Sequence, residues 1–179
     1  MNARLVVLLT GSMVMASATM AGASARPPAA PLATVDLALS DGAPAGTAAI
    51  EQDGKGLKLI VAAKGLPAGV HGIHLHAVGQ CDGPAFITAG AHLNPHGRQH
   101  GFDNPAGSHL GDLPNLTAAA DGNAGFTTPL HGSREELLQA LFDADGTALV
   151  VHATADDNRT DPSGNSGGRI ACGVLKRAS

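Results

Sequence analysis

The chain has no tryptophan and no tyrosine, and only four phenylalanines among its 179 residues. Its core must therefore come from valine, leucine, isoleucine and alanine. Lysine and arginine form no run, and the formal net charge is −4. A mildly acidic chain without a basic cluster is not typical of nucleic-acid-binding proteins, so we expect no nucleic acid as a partner.

The first 25 residues differ in composition from the rest of the chain. Arg4 precedes a short apolar run of mostly small residues, and an Ala-Ser-Ala sequence ends at Ala25. This arrangement predicts a cleaved secretory signal peptide over residues 1–25. The alternative is a membrane anchor, but the apolar part is short and rich in Gly, Ser and Thr. We therefore expect a periplasmic or secreted protein with no stable membrane anchor, and a disordered Pro/Ala-rich lead-in over residues 26–32.

Cysteine is scarce: the chain has only Cys81 and Cys172, about half a chain length apart. In an exported protein, an even number of cysteines favours a disulfide over two reduced, buried thiols. By the chain-entropy model, closing so long a loop stabilises the folded state by roughly 4–5 kcal/mol. We therefore predict a Cys81–Cys172 bond.

From residue 33 onwards, short segments alternate between apolar and polar residues and end at turn residues such as Asp-Gly. The pattern predicts eight strands, at 34–40, 46–52, 57–63, 70–79, 115–120, 124–130, 148–154 and 170–175. Segment 134–142 alone looks helical, with a single turn or an irregular loop as the alternatives. Many short strands with Gly-rich turns predict an all-β, antiparallel sandwich or barrel over residues 33–179.

Two long segments, 78–114 and 155–169, have no strand pattern. Loops of this length in a compact domain are usually functional, disordered or held by additional bonds. Both contain polar residues that could bind a metal or an anion. The first contains Pro95 and several glycines, which exclude a helix through its histidines. We expect this loop to be ordered by a metal and by Cys81 rather than by backbone pairing.

Histidines are concentrated in these strands and loops. His74 and His76 are two residues apart on a predicted strand, so their side chains point to the same face. His152 lies in another strand, where a lone histidine would be an ordinary half-buried side chain. Segment 78–114 adds His92, His100, His109 and Asp112. Histidines with one carboxylate suit Zn²⁺, and several imidazoles together suit Cu²⁺.

Five motifs resemble those of the copper/zinc superoxide dismutases, in the same order and across nearly the whole chain that remains after residues 1–25. They are GVHGIHLH (69–76), TAGAHLNP (88–95), HLGDLPNL (109–116), VVHATADD (150–157) and GGRIACG (167–173). The cysteine in GQCDG resembles that of the bacterial exported branch. The resemblance implies an eight-stranded Greek-key β-barrel with two long functional loops. It also implies an antioxidant oxidoreductase that converts superoxide to oxygen and hydrogen peroxide by Cu(II)/Cu(I) cycling.

The resemblance further implies two metal sites that share one histidine. Copper would be bound by His74, His76, His92 and His152, and a structural zinc by His92, His100, His109 and Asp112. His92 would therefore bridge the two ions, and it would also act in catalysis by taking up a proton. In the family pattern Asp156 links ligand histidines of the two sites, Arg169 lies beside the copper, and Cys81–Cys172 is the disulfide. Superoxide is the implied substrate, and both a monomer and a homodimer are compatible with the family.

Several other polar residues match no ligand position of the family and are predicted to be structural or solvent-exposed: His71, His96, His131, Asp103, Arg98 and Arg159. The main alternative function is a non-catalytic periplasmic protein of the same fold that binds or buffers copper and zinc. Such a protein would be expected to lack a copper ligand or the arginine near the copper. Because all of these residues are present here, we predict an enzyme.

Overall fold

The computed structural model of the protein describes residues 30–178. The predicted signal peptide and residues 26–29 of the lead-in lie outside the described residues. At the end of the lead-in, the N–H of Leu32 donates to the Ile50 carbonyl over 2.7 Å, and its own carbonyl accepts from Ala178 over 3.0 Å. Over residues 30–178 no helix is long and apolar enough to cross a membrane.

The predicted all-β antiparallel fold is confirmed, as one sheet of nine strands that nearly closes into a barrel. In chain order the strands are β1 (Ala33–Leu39), β2 (Pro44–Asp53), β3 (Gly56–Ala63), β4 (Gly69–His71), β5 (Ile73–His76), β6 (Leu116–Ala118), β7 (Ala124–Pro129), β8 (Ala148–His152) and β9 (Arg169–Arg177). Their order in the sheet is β4-β6-β7-β3-β2-β1-β9-β8-β5. Strands β1, β2 and β3 are therefore neighbours in chain order, as expected for hairpins closed by Asp-Gly turns.

The ninth strand arises because the segment predicted as one strand, 70–79, is divided at Gly72. Strand β4 pairs with β6 at one edge of the sheet, whereas β5 pairs with β8 at the other edge. Gly72 itself donates to the Thr154 carbonyl and accepts from the His152 N–H, both over 2.8 Å. A Cβ at this position would lie 2.8 Å from the Cβ of Ser166. The chain thus passes from one edge to the other at a point where only glycine fits.

The core is aliphatic, as the lack of aromatic residues requires. Alternate residues of the strands point inwards, and side chains such as Ile50, Leu59, Leu75 and Leu149 are fully buried. The buried members of this main cluster are all Ala, Val, Leu or Ile. Burying each of the larger ones contributes about 1.5–3 kcal/mol to folding.

The segment predicted to look helical forms one short α-helix, α1 (Arg134–Leu141). Ser133 caps it: its side chain accepts from the N–H of Glu136 over 3.2 Å, and the Glu136 carboxylate accepts from the N–H of Ser133 over 3.3 Å. This reciprocal pair satisfies two N–H groups at the helix start. Leu137 and Leu141 face the core, so the segment is a helix and not a single turn or an irregular loop.

The two long loops are hydrogen-bonded to each other. The N–H of His100 donates to the Asp161 carboxylate over 2.7 Å, and the N–H of Asp103 donates to the Asn158 carbonyl over 2.9 Å. A disulfide joins Cys81 of the first loop to Cys172 of β9 across 91 positions of sequence. The first loop contains a short 3-10 helix, Ile87–Ala89.

Candidate metal centre

Backbone pairing brings the first loop against β5, contrary to the expectation that it lacks such pairing. Leu75 of β5 donates to the Gly111 carbonyl over 2.9 Å and accepts from the N–H of Leu93 over 2.8 Å, and Gly111 in turn donates to Leu93 over 2.9 Å. A Cβ at Gly111 would lie 2.3 Å from the Leu75 carbonyl. Two short strand-like segments thus extend the sheet locally. The period-two pattern is too short there to be recognised in the sequence.

The four histidines predicted to bind copper lie in one buried cluster, with one ring nitrogen of each within 4.8 Å of the others. The second nitrogen of each ring has another partner. The contacts are His74 Nε2 to Asp156 Oδ2 (2.6 Å), His76 Nδ1 to the Gly90 carbonyl (3.0 Å), His92 Nδ1 to Asp112 Oδ1 (3.0 Å) and His152 Nδ1 to the Gly167 carbonyl (3.2 Å). The nitrogens left to face the centre are therefore Nδ1 of His74 and Nε2 of the other three.

This cluster fits a metal ion. His74 Nδ1 and His92 Nε2 are buried and have no hydrogen-bond partner among the described residues. Buried polar atoms without a partner are rare because their desolvation is not compensated. A cation bound by these nitrogens would supply that compensation. Four imidazoles form a donor set that suits copper.

The four residues predicted to bind zinc form a second buried cluster around Asp112. The Nδ1 atoms of His92, His100 and His109 lie 3.0, 3.0 and 3.2 Å from its Oδ1. The other oxygen of Asp112 accepts from the backbone N–H groups of Gly101 and His109, both over 2.9 Å. Three ring nitrogens and one carboxylate oxygen converge as a tetrahedral zinc site requires.

His92 belongs to both clusters. Its Nδ1 faces Asp112, and its Nε2 faces the four-histidine cluster. Its ring stacks on that of His74, with centroids 4.0 Å apart. One imidazole can therefore contact an ion on each side.

Asp156 connects the two clusters from the second loop. Its Oδ2 accepts from His74 Nε2 over 2.6 Å, and its Oδ1 accepts from His100 Nε2 over 2.9 Å. A carboxylate in this position fixes which nitrogen of each ring is free to bind metal. The backbone of Asp156 is held by Asn115, whose amide donates to its carbonyl and accepts from its N–H, both over 2.8 Å. Sequence reasoning missed Asn115, although it lies inside the motif HLGDLPNL.

Burial keeps the histidines of the four-histidine cluster neutral. Burial, together with the neighbouring imidazoles, lowers the pKa of His76 to about 2, that of His152 to about 3 and that of His92 to about 4. At neutral pH these rings therefore hold a free electron pair, which metal binding requires.

His100 behaves in the opposite way in the metal-free protein. Burial alone would lower its pKa, but hydrogen bonds to Asp112 and Asp156 outweigh burial and raise the pKa to about 9. Both ring nitrogens then carry protons at neutral pH. The charged ring stabilises the metal-free fold fully below its ordinary pKa of 6.5, and this contribution is lost as the pH rises through about 9.

We therefore expect zinc to displace a proton from His100 at pH 7. The affinity for zinc should rise with pH up to about 9, because a proton and the metal compete for the same ring nitrogen of His100. Above that pH the His100 proton should no longer affect the affinity. Calorimetric titration of metal-free protein with zinc, in buffers of different ionisation enthalpy, measures the protons released. About one more proton should be released at pH 7 than at pH 10. Equal release at the two pH values would show that His100 is neutral before zinc binds.

A cavity of about 440 Å³ leads to the four-histidine cluster. Three of its histidines, His76, His92 and His152, form part of the wall, together with Ile87 and Pro162. Arg169, the first residue of β9, supplies a positive charge to the same wall. Its guanidinium donates to the carbonyls of Phe86 and Gly90, both over 2.6 Å. The cavity thus joins a candidate metal site to a fixed cationic group.

The remaining polar residues singled out in the sequence lie outside both clusters. His71 is buried, with its two ring nitrogens 2.8 Å from the carbonyls of His152 and Pro67. His96 is exposed and contacts the Glu136 carboxylate, and the ring of His131 packs on Phe102. Three further residues are exposed: Arg98, Asp103 and Arg159.

The fold and these two clusters define a class: antiparallel β-barrel proteins with adjacent histidine-rich sites able to bind two metal ions. The family model for copper/zinc superoxide dismutase (SODC) matches residues 44–175. The chain belongs to this family.

Individual relatives agree with this assignment. The chain is 41% identical to the superoxide dismutase [Cu-Zn] of Caulobacter vibrioides over 150 residues, which cover 80% of this chain and 85% of that protein. It is 45% identical to the superoxide dismutase-like protein YojM of Bacillus subtilis over 132 residues, 70% of this chain but only 65% of YojM. The solved structure of the Cu/Zn superoxide dismutase from Brucella abortus is similar with a TM-score of 0.66 and 31% identity, covering 80% of this chain and 98% of that one.

Proposed function

We propose that the protein is an exported superoxide dismutase that converts two superoxide anions and two protons into oxygen and hydrogen peroxide. One observation carries the proposal: the four-histidine cluster shares His92 with the Asp112 cluster and faces a cavity that contains Arg169. Family membership supports a dismutase-type function. The complete set of candidate ligands supports catalysis in this member.

The ligand atoms in each cluster indicate which metal it would bind. Copper suits the four imidazoles, and zinc suits three imidazoles with one carboxylate. When bound, copper supplies the alternating one-electron oxidation and reduction that the reaction needs. His74, His76, His92 and His152 would hold it, and His92, His100, His109 and Asp112 would hold zinc.

The residues of the cavity wall have separate tasks. Arg169 provides a positive target for a small anion, and its two hydrogen bonds to carbonyls keep the guanidinium in place before the anion arrives. Electrostatic attraction of this kind raises the rate of encounter with a charged substrate. His92 lines the same cavity, and its Nε2 has no partner among the described residues. When copper is not bound to it, this nitrogen is placed to hold a proton and give it to the anion.

Export is part of the proposal. The composition of residues 1–25 favours a cleaved signal peptide. The Cys81–Cys172 disulfide fits a periplasmic or secreted location, because such compartments are oxidising.

The proposal is tested with purified, oxidised protein loaded with copper and zinc. We expect one copper and one zinc per chain and rapid consumption of superoxide. Protein concentration must come from amino-acid analysis, because the chain has no Trp or Tyr to absorb at 280 nm. Protein that binds both metals but consumes no superoxide would instead be the binding or buffering protein of the alternative hypothesis.

A further inference from the structure

Phe86 is a buried aromatic side chain that lies apart from the main aliphatic core. It is 3% exposed. It belongs to a second, small cluster beside the disulfide, together with Ala89, Ala148, Val150 and Cys172, against which Cys81 also packs. Its neighbour Ile87 points the other way: it is 76% exposed and lines the cavity that leads to the four-histidine cluster.

The backbone of Phe86 adopts the left-handed conformation, with φ 53° and ψ 29°. Bulky residues rarely adopt it, because the Cβ comes too close to the following carbonyl. In this conformation the Phe86 carbonyl starts the 3-10 helix by accepting from the Ala89 N–H over 3.2 Å. The same oxygen accepts from Nη1 of Arg169 over 2.6 Å.

The Gly90 carbonyl completes a two-point cradle for the guanidinium. It accepts from Nη2 of Arg169 over 2.6 Å and from Nδ1 of His76 over 3.0 Å. One of the two carbonyls that hold the guanidinium thus also contacts His76, a candidate copper ligand. The other carbonyl belongs to Phe86, and the ring of Phe86 packs in the small cluster beside the disulfide.

We propose that Phe86 is a positioning residue for Arg169, because its buried ring holds the left-handed turn whose carbonyl orients the guanidinium in the cavity. A planar guanidinium that donates to two fixed carbonyls loses little further freedom when an anion binds. The importance of this orientation for catalysis rests on the proposed function. The orientation itself is a property of the fold and can be measured without metal.

The test measures how fast phenylglyoxal modifies Arg169 in the metal-free, oxidised protein, followed by mass spectrometry of the peptide. In Phe86→Ala the modification should be roughly tenfold faster, the effect of losing one hydrogen bond to a charged group. Phe86→Leu retains part of the apolar contact and should show a rise of about threefold. The exposed Arg98 and Arg159 are internal controls that should react at unchanged rates.

Phe126→Ala and Phe126→Leu are the matched controls, because Phe126 is a half-buried phenylalanine of β7 that packs on the main core. They should lower stability without speeding modification of Arg169. An unchanged Arg169 rate in folded Phe86 variants, or an equal rise in the Phe126 variants, would overturn the proposal. Phe86→Leu decides the question if Phe86→Ala does not fold.

The Phe86→Ala protein loaded with copper and zinc should retain both metals. It should consume superoxide several-fold more slowly than the wild type. It should also bind azide, a small anionic probe, several-fold more weakly, because the same hydrogen bond is lost. Wild-type protein that consumes no superoxide would refute the proposed function alone, because the modification rates do not depend on it. Unchanged azide affinity in a variant with faster Arg169 modification would show that the orientation does not serve anion binding and would overturn that part of the inference.

Discussion

Replacing His152 with alanine should remove nearly all superoxide consumption and strongly weaken copper binding, while zinc binding remains. His152 ends β8, is 3% exposed, and its Nε2 lies 3.4 Å from that of His76. It belongs to the four-histidine cluster and not to the Asp112 cluster. Removal of residues that only support metal ligands costs about 10–100-fold in affinity. The loss of a direct ligand should therefore weaken copper binding by at least about 100-fold.

Metal content after dialysis against a mild chelator, with the rate of superoxide consumption, measures this effect. His131→Ala is the matched control, because His131 is an exposed histidine outside both clusters. It should behave as wild type. A His152→Ala protein that retained both copper and activity would show that the four-histidine cluster is not the reacting site. Loss of zinc together with copper would show that the two clusters do not bind independently.

Replacing Cys81 and Cys172 together by serine should lower the free energy of unfolding by roughly 4–5 kcal/mol, the chain-entropy value for so long a loop. The disulfide closes 91 positions of sequence and joins the first long loop to β9. It therefore restricts the unfolded chain strongly. A loss of this size is a large fraction of the stability of an ordinary domain.

Denaturant unfolding of the metal-free protein measures the difference. The reduced wild-type chain is the matched control and should unfold at the same denaturant concentration as the double serine variant. The slope of the transition should also increase, because an uncrosslinked unfolded chain exposes more surface. A difference below about 1 kcal/mol would contradict the loop-entropy explanation.

Local patterns were sufficient to predict most of the strands. Segments 34–40, 46–52 and 57–63 correspond to β1, β2 and β3 with ends shifted by at most two residues. Their alternation is long enough to be recognised, and the Asp-Gly turns separate them. The division of 70–79 at Gly72 could not be predicted, because it depends on contacts with Thr154 and Ser166, which lie more than 80 positions later.

The candidate ligands were predicted from residue type, spacing and motif resemblance. The structure brings them together in two buried clusters that share His92. The sequence does not show which ring nitrogen of each histidine faces the candidate metal site. That depends on partners such as Gly90 and Asp156 on other segments. Asn115 and Phe86 were missed for the same reason, since each acts only through a residue distant in sequence.

The sequence by itself determined an all-β chain with an aliphatic core, a Cys81–Cys172 pair and a set of seven candidate ligands. These properties follow from composition, from patterns within a few residues and from the resemblance of short motifs to those of a known family. Only the tertiary structure decided how the two edges of the sheet meet at Gly72 and which histidine ring nitrogens are free to bind a metal. It also decided how the carbonyls of Phe86 and Gly90 hold Arg169. These features depend on hydrogen bonds and close contacts between segments far apart in the chain, which exist only once the barrel has formed.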